Sequence, residues 1–203
     1  MRDSPITNYQ ATPARDEDFW LRPRNQLAAK TTDLQRFRAE KDEFFGSDHR
    51  APLTHEQKHS FKGLAYFAEN PQLVIRSKID RAVQPGEVRM ATTTGEEQVY
   101  RRFGVVHFQV DGVAAQLTLY ESAGSHDLFL PFRDATSGKE TYGAGRYLDL
   151  HAHGDEVVVD FNYAYNPSCA YNPEWSCPLP PAENWLKVPI RAGEKAFPGG
   201  AAH

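Results

Sequence analysis

Past residue 64 the hydrophobic spacing of this chain drops from a helical period to about two, and that change limits the folds open to it. Segments 73–80, 88–94, 98–110, 113–121, 127–132, 146–151 and 157–161 all alternate as strands do. No helical pattern lies between them, so a parallel α/β fold, which needs crossover helices, is disfavoured. Asp111-Gly112 separates VVHFQV from VAAQLTLY, a strong two-residue hairpin signal. His153-Gly154-Asp155 plays the same part between YLDL and VVVDF. A last strand is expected over 185–190. Short turns between so many strands predict a mainly β fold with N-terminal helices: an antiparallel β-barrel or sandwich preceded by a helical segment.

That helical segment has its own local signals. Thr32 and Gln35 have capping-box spacing. Leu34, Phe37, Lys41, Phe44 and Phe45 follow on one helical face, apolar except for the lysine stem. Thr54 and Gln57 repeat the signal for a short helix closed by Gly63. Pro23 interrupts any helix within 14–30. The expected organisation is a flexible arm at 1–13, a helical segment at 14–63 packed on the same domain, an antiparallel β domain at 64–196, and a disordered tail at 197–203.

The chain's 203 residues suit one domain with a sizeable core. Its net charge of −4 lacks the basic excess of a nucleic-acid binder and gives no attraction to an anionic membrane. No apolar run approaches the roughly 20 residues that span a bilayer. The first twenty residues lack the apolar stretch of a secretory signal, so a cytoplasmic location is expected.

Residues 131–193 hold both cysteines and half of the prolines, with many Asp, Asn, Tyr and Arg residues set among aromatics. Polar groups in such a setting are expected to be buried and hydrogen-bonded. Three blocks here, PFRDATSGKETYGAGRYLDL, DFNYAYNPSCAYN and CPLPPAENWLKVPIRAGEK, resemble the signature blocks of the bacterial and archaeal domain of unknown function 1684 family. KDEFF at 41–45 and GLAYF at 63–67 fit the same pattern, and the resemblance covers roughly residues 35–196. It implies no established activity.

The chemistry must therefore be read from the residues. Gly138, Gly143 and Gly145 match neither dinucleotide nor P-loop spacing, and no helix follows them to receive a phosphate, so they read as turn glycines and no cofactor is expected. His151 and His153 have the spacing of a metal pair, and folding could bring His107 near, but no third ligand stands at a telling spacing. No metal is expected. Cys169 and Cys177 are too few and too far apart for structural zinc, and no local histidine activates either. They read as structural thiols, with a disulfide across the proline-bent loop as the alternative.

Among the polar residues, Tyr142, Arg146, Asp160, Asn162, Tyr165 and Asn166 are the candidate ligand-binding set. Arg146 opens one strand and Asp160 closes the next, so an ion pair between them is expected. Two functional classes follow: a small-molecule-binding domain with a polar pocket at the barrel's end, or a hydrolase-like enzyme using Asp160 or Asp134 as base. An interaction protein with an exposed apolar patch is the third. The competing structural reading is a network that holds the proline-rich loop in place.

Overall fold

A computed structural model describes residues 32–83, 86–122 and 127–200. The expected arm at 1–13 and the broken helix at 14–30 lie outside these residues. Helix α1 spans Asp33–Ser47 and α2 spans His55–Ser60. Both begin with a complete capping box, Thr32 with Gln35 and Thr54 with Gln57, each pair bonding reciprocally. Two otherwise orphaned amides are satisfied at each helix start.

Eight strands follow: β1 (Val74–Asp80), β2 (Glu87–Ala91), β3 (Glu97–Val110), β4 (Val113–Ser122), β5 (Leu128–Phe132), β6 (Arg146–Leu150), β7 (Ala152–His153) and β8 (Glu156–Asp160). They form one antiparallel sheet in the order β6-β5-β4-β3-β1-β8-β7, with β2 on the outer part of β3. The stretch from Arg146 to His153 serves both ends of that order. Its first part pairs with β5 and its last two residues pair with β8. Across the seam the backbones of Tyr147 and Tyr165 exchange hydrogen bonds of 2.9 and 3.0 Å. The sheet is therefore a nearly closed barrel.

Long alternating strands give this sheet two faces. One carries Val106, Phe108, Leu117, Leu119, Leu128, Leu130, Phe132, Leu148, Leu150, Val157 and Val159, the main core. The other carries Tyr100, Tyr120, Phe129 and Tyr147, joined by Met90 of β2. Both faces draw on β3 because of one extra residue. Arg102 opposes Tyr120 and Gly104 opposes Leu119, so Phe103 is unmatched on β4. This bulge reverses the parity of β3: Tyr100 and Val106 are both even-numbered yet face opposite sides. Gly104 is needed there, since a Cβ would overlap the Ile79 side chain of the neighbouring β1.

One expectation about the elements is corrected. Residues 185–190 do not form a strand. Their backbone lies beside 133–135 through Leu186 N to Arg133 O (2.8 Å) and Ala135 N to Val188 O (3.2 Å), with one parallel bridge at Trp185. Asn184 takes the place of a strand there: its side chain accepts from Thr118 N (2.8 Å) and donates to Thr118 O and Pro131 O (2.9 and 2.7 Å). Of the expected tail, residues 197–200 lie among the described residues. Phe197 packs edge-on against Tyr171 at 5.2 Å, and Gly200 lies close against the Ala170 carbonyl.

Candidate functional site

Arg146 opens β6 on the core face, above Phe132, and is fully buried. The expected partner was Asp160, but the ion pair is with Asp134, at 2.9 Å. Strand β6 pairs with β5 rather than β8, so Arg146 meets the loop that leaves β5. Its two Nη nitrogens also reach the backbone carbonyls of Ile190 (2.7 Å), Ala192 and Glu194 (3.1 Å). Asp134 accepts in turn from Thr136 N, the Thr136 hydroxyl and Ile190 N. One guanidinium thus ties the 190–194 segment across the end of the barrel, a planar fork suited to several acceptors at once.

Asp160 and Asn162 lie elsewhere. Asp160 caps the turn Phe161–Tyr163, accepting from Asn162 N at 3.0 Å. The Asn162 amide exchanges bonds with the backbone of Asn70, at 2.7 and 3.0 Å. Tyr142 lies in the cluster formed by the helices and the proline-rich loop, where its hydroxyl donates to Cys169 Sγ at 3.5 Å. Cys169 and Cys177 are both free and buried.

Asn166 and Tyr165 belong to a polar group at the barrel seam. Its centre is Glu194, 1% exposed, paired with the Lys41 ammonium of α1. Asn166 N and the Tyr171 hydroxyl donate to the other Glu194 oxygen, at 2.9 and 2.6 Å. Lys41 also lies 4.9 Å above the Tyr165 ring. On the ring's far end the Tyr165 hydroxyl donates to Asp149 Oδ2 at 2.7 Å. Asp149 stands opposite Phe129 in the β5–β6 register, and the rings of Tyr100, Phe129, Tyr147 and Tyr165 follow one another at 4.8–5.9 Å. Burial raises the Asp149 carboxyl above its usual range, the nearby Asp127 adds to this, and the Tyr165 bond opposes it. Burial likewise pushes the Tyr165 phenol well up, so it remains a proton donor.

The six candidate residues therefore divide. Arg146, Asn166 and Tyr165 converge on the 190–195 segment and the seam, whereas Tyr142 and the Asp160–Asn162 pair sit apart. Sequence reasoning passed over Asp149, Lys41 and Glu194. Asp149 had a signal, as the one acid within RYLDL, and so did Lys41, as a charge on an aromatic helix face. Glu194 had none. His107 and His151 pair with Asp80 (3.6 Å) and Asp127 (2.9 Å). Among the described residues no group of three or more His, Cys, Asp or Glu could hold a metal ion, and no helix is long and apolar enough to cross a membrane.

Comparison with known proteins adds relationship without activity. The family described as "Protein of unknown function (DUF1684)" matches residues 59–195. The solution NMR structure of an uncharacterized protein of Haloarcula marismortui is similar, with 37% identity and a TM-score of 0.64. That match covers 80% of this chain and 91% of the other. No curated protein matches.

Proposed function

This chain belongs to the DUF1684 family of proteins of unknown function, and we propose that it is a small-molecule-binding domain whose polar anchor is the Tyr165–Asp149 pair. One observation carries the reading: a half-buried carboxyl, raised by burial and bonded to a phenol, stands at the edge of a run of four aromatic rings. Such a combination of apolar wall and few polar groups suits a ligand with an apolar body and a hydrogen-bonding head. Of the residues expected from sequence, Tyr165 takes part directly. Asn166 and Arg146 support it from behind, by fixing the 190–195 segment on which Glu194 holds Lys41.

A hydrolase using Asp134 or Asp160 is the weaker reading. A general base needs a free lone pair within reach of substrate. Asp134 is buried with four donors on its two oxygens, and Asp160 is committed to capping a turn. An interaction surface has less support still. Val99, Val113 and Trp185 are exposed, but the two valines lie toward opposite ends of the β3–β4 hairpin and the Trp185 ring is partnered by the Arg133 guanidinium at 4.7 Å.

The reading is tested by releasing bound small molecules from purified protein and identifying them by mass spectrometry, then repeating this with Asp149→Asn and Tyr165→Phe. Both variants are expected to remain folded and to lose the ligand. Full ligand content in both would place the binding site elsewhere.

A further inference from the structure

The proline-rich loop sets the Cys177 sulfur against the backbone of Cys169. Cys169 lies in the turn Ser168–Ala170 and is fully buried. Its backbone N–H donates to Cys177 Sγ at 3.2 Å, which places the second sulfur directly against the first residue. The Tyr142 hydroxyl donates to Cys169 Sγ at 3.5 Å. The backbone of Cys177 is fixed from both sides by the β2–β3 turn. Thr93 N donates to Cys177 O (3.0 Å), and Cys177 N donates to Thr93 Oγ1 (3.2 Å). The Thr93 hydroxyl also donates to Trp175 O at 3.0 Å.

From this geometry we propose that Cys169 and Cys177 are a redox-active dithiol that closes reversibly into a disulfide when it meets a hydroperoxide. The thiol–thiol hydrogen bond holds Cys169 below its usual range and pushes Cys177 above it, and the Tyr142 hydroxyl favours the Cys169 thiolate further. Cys169 is accordingly the attacking sulfur. Its thiolate attacks one peroxide oxygen, forming S–O and breaking O–O, and the departing oxygen takes up a proton to leave as water or an alcohol. Cys177 then attacks the sulfenic sulfur of Cys169, forming S–S and breaking S–O. The Cys177 proton goes to the departing hydroxide, which leaves as water. The two sulfurs lose two electrons in total and the peroxide gains them. Cys177 is the less buried of the two residues, and its side of the loop is the one from which the oxidant would reach Cys169. A reducing cytoplasm, the compartment expected from the sequence, would return the pair to thiols. This inference does not depend on the Tyr165–Asp149 reading.

The test uses the full chain, reduced and then exposed to hydrogen peroxide, with thiols alkylated afterwards under denaturing conditions and the intact mass recorded. The expected product is a monomer that has lost two hydrogens, takes up no alkylating agent, and regains both thiols on treatment with dithiothreitol. In a dithiol redox buffer it should follow a single two-electron curve. Two alkylatable thiols after peroxide, added oxygen without a disulfide, or a disulfide between molecules would each overturn the proposal. Cys177→Ser should accumulate sulfenic acid on Cys169, captured by dimedone. Absence of that adduct in a folded variant would remove Cys169 from the attacking role, and if the variant does not fold, the wild-type mass measurement still decides.

Discussion

Lys41 on α1 and Glu194 near the chain's end meet as an ion pair with both side chains almost wholly buried, across 153 positions of sequence. The pair fastens the N-terminal helix to the segment that Arg146 holds across the barrel's end. Removing two charges from water is costly, so such a pair is sensitive to the loss of either partner.

Lys41→Ala should therefore destabilise the protein by about 3–5 kcal/mol, because it leaves the Glu194 carboxylate buried without its countercharge. The double change Lys41→Met with Glu194→Gln should cost less than the two single changes added together. Urea denaturation of the four proteins measures this. Additive effects would mean that the two groups are not coupled.

Arg146→Ala should also cost about 3–5 kcal/mol, through the stranded Asp134 carboxylate and the carbonyls of Ile190, Ala192 and Glu194 that lose their donors. Arg146→Lys should recover little of this, since one ammonium cannot reproduce the fork that reaches four acceptors. Denaturant midpoints measure the cost. Unchanged stability with loss of a bound molecule would instead make Arg146 a ligand contact.

Asp149 predicts a pH dependence of definite sign. Burial raises its carboxyl in the folded protein, so between the ordinary value, near 4, and the raised one the native state holds a proton that the unfolded chain has released. The stability this gives is fully present below the ordinary value and is lost as pH climbs through the raised one. Asp149→Asn, always neutral, should lack that fall. Asp48, held low by hydrogen bonds from Arg50, acts in the opposite direction but equally in both proteins, so it cancels in the difference. Thermal melts of both across pH 3–8 (about the range in which carboxylates of this kind titrate) would expose the idea as wrong if the two curves ran parallel.

The local elements were legible because their causes are local. The capping boxes at Thr32 and Thr54 need only three further residues to be recognised, and both formed as spaced. Alternation marked the strands for the same reason, since neighbouring side chains on a strand must face opposite ways. The polar residues of 131–193 were legible as buried and bonded, but their partners were not. Asp160 closes the strand after the one Arg146 opens and is its expected match across a hairpin, whereas the strand order placed β6 beside β5 and brought Asp134 instead.

By itself, then, the sequence determined the antiparallel β class, the helical start and the polar, proline-rich block, each set by interactions among residues a few positions apart. The tertiary structure decided which charges meet, which tyrosines share a face and that the Cys177 sulfur meets the Cys169 backbone. Phe103 shows why: one unmatched residue reverses the facing of every later side chain in β3, and although the neighbouring Gly104 hints at a bulge, only the pairing with β4 shows which residue is unmatched. The closure at Tyr147 and Tyr165 acts over a longer range, bringing Asp149, Lys41 and Glu194 together from three separate segments. Such meetings depend on the path of the whole backbone, because a side chain's partner is set by where the chain returns in space.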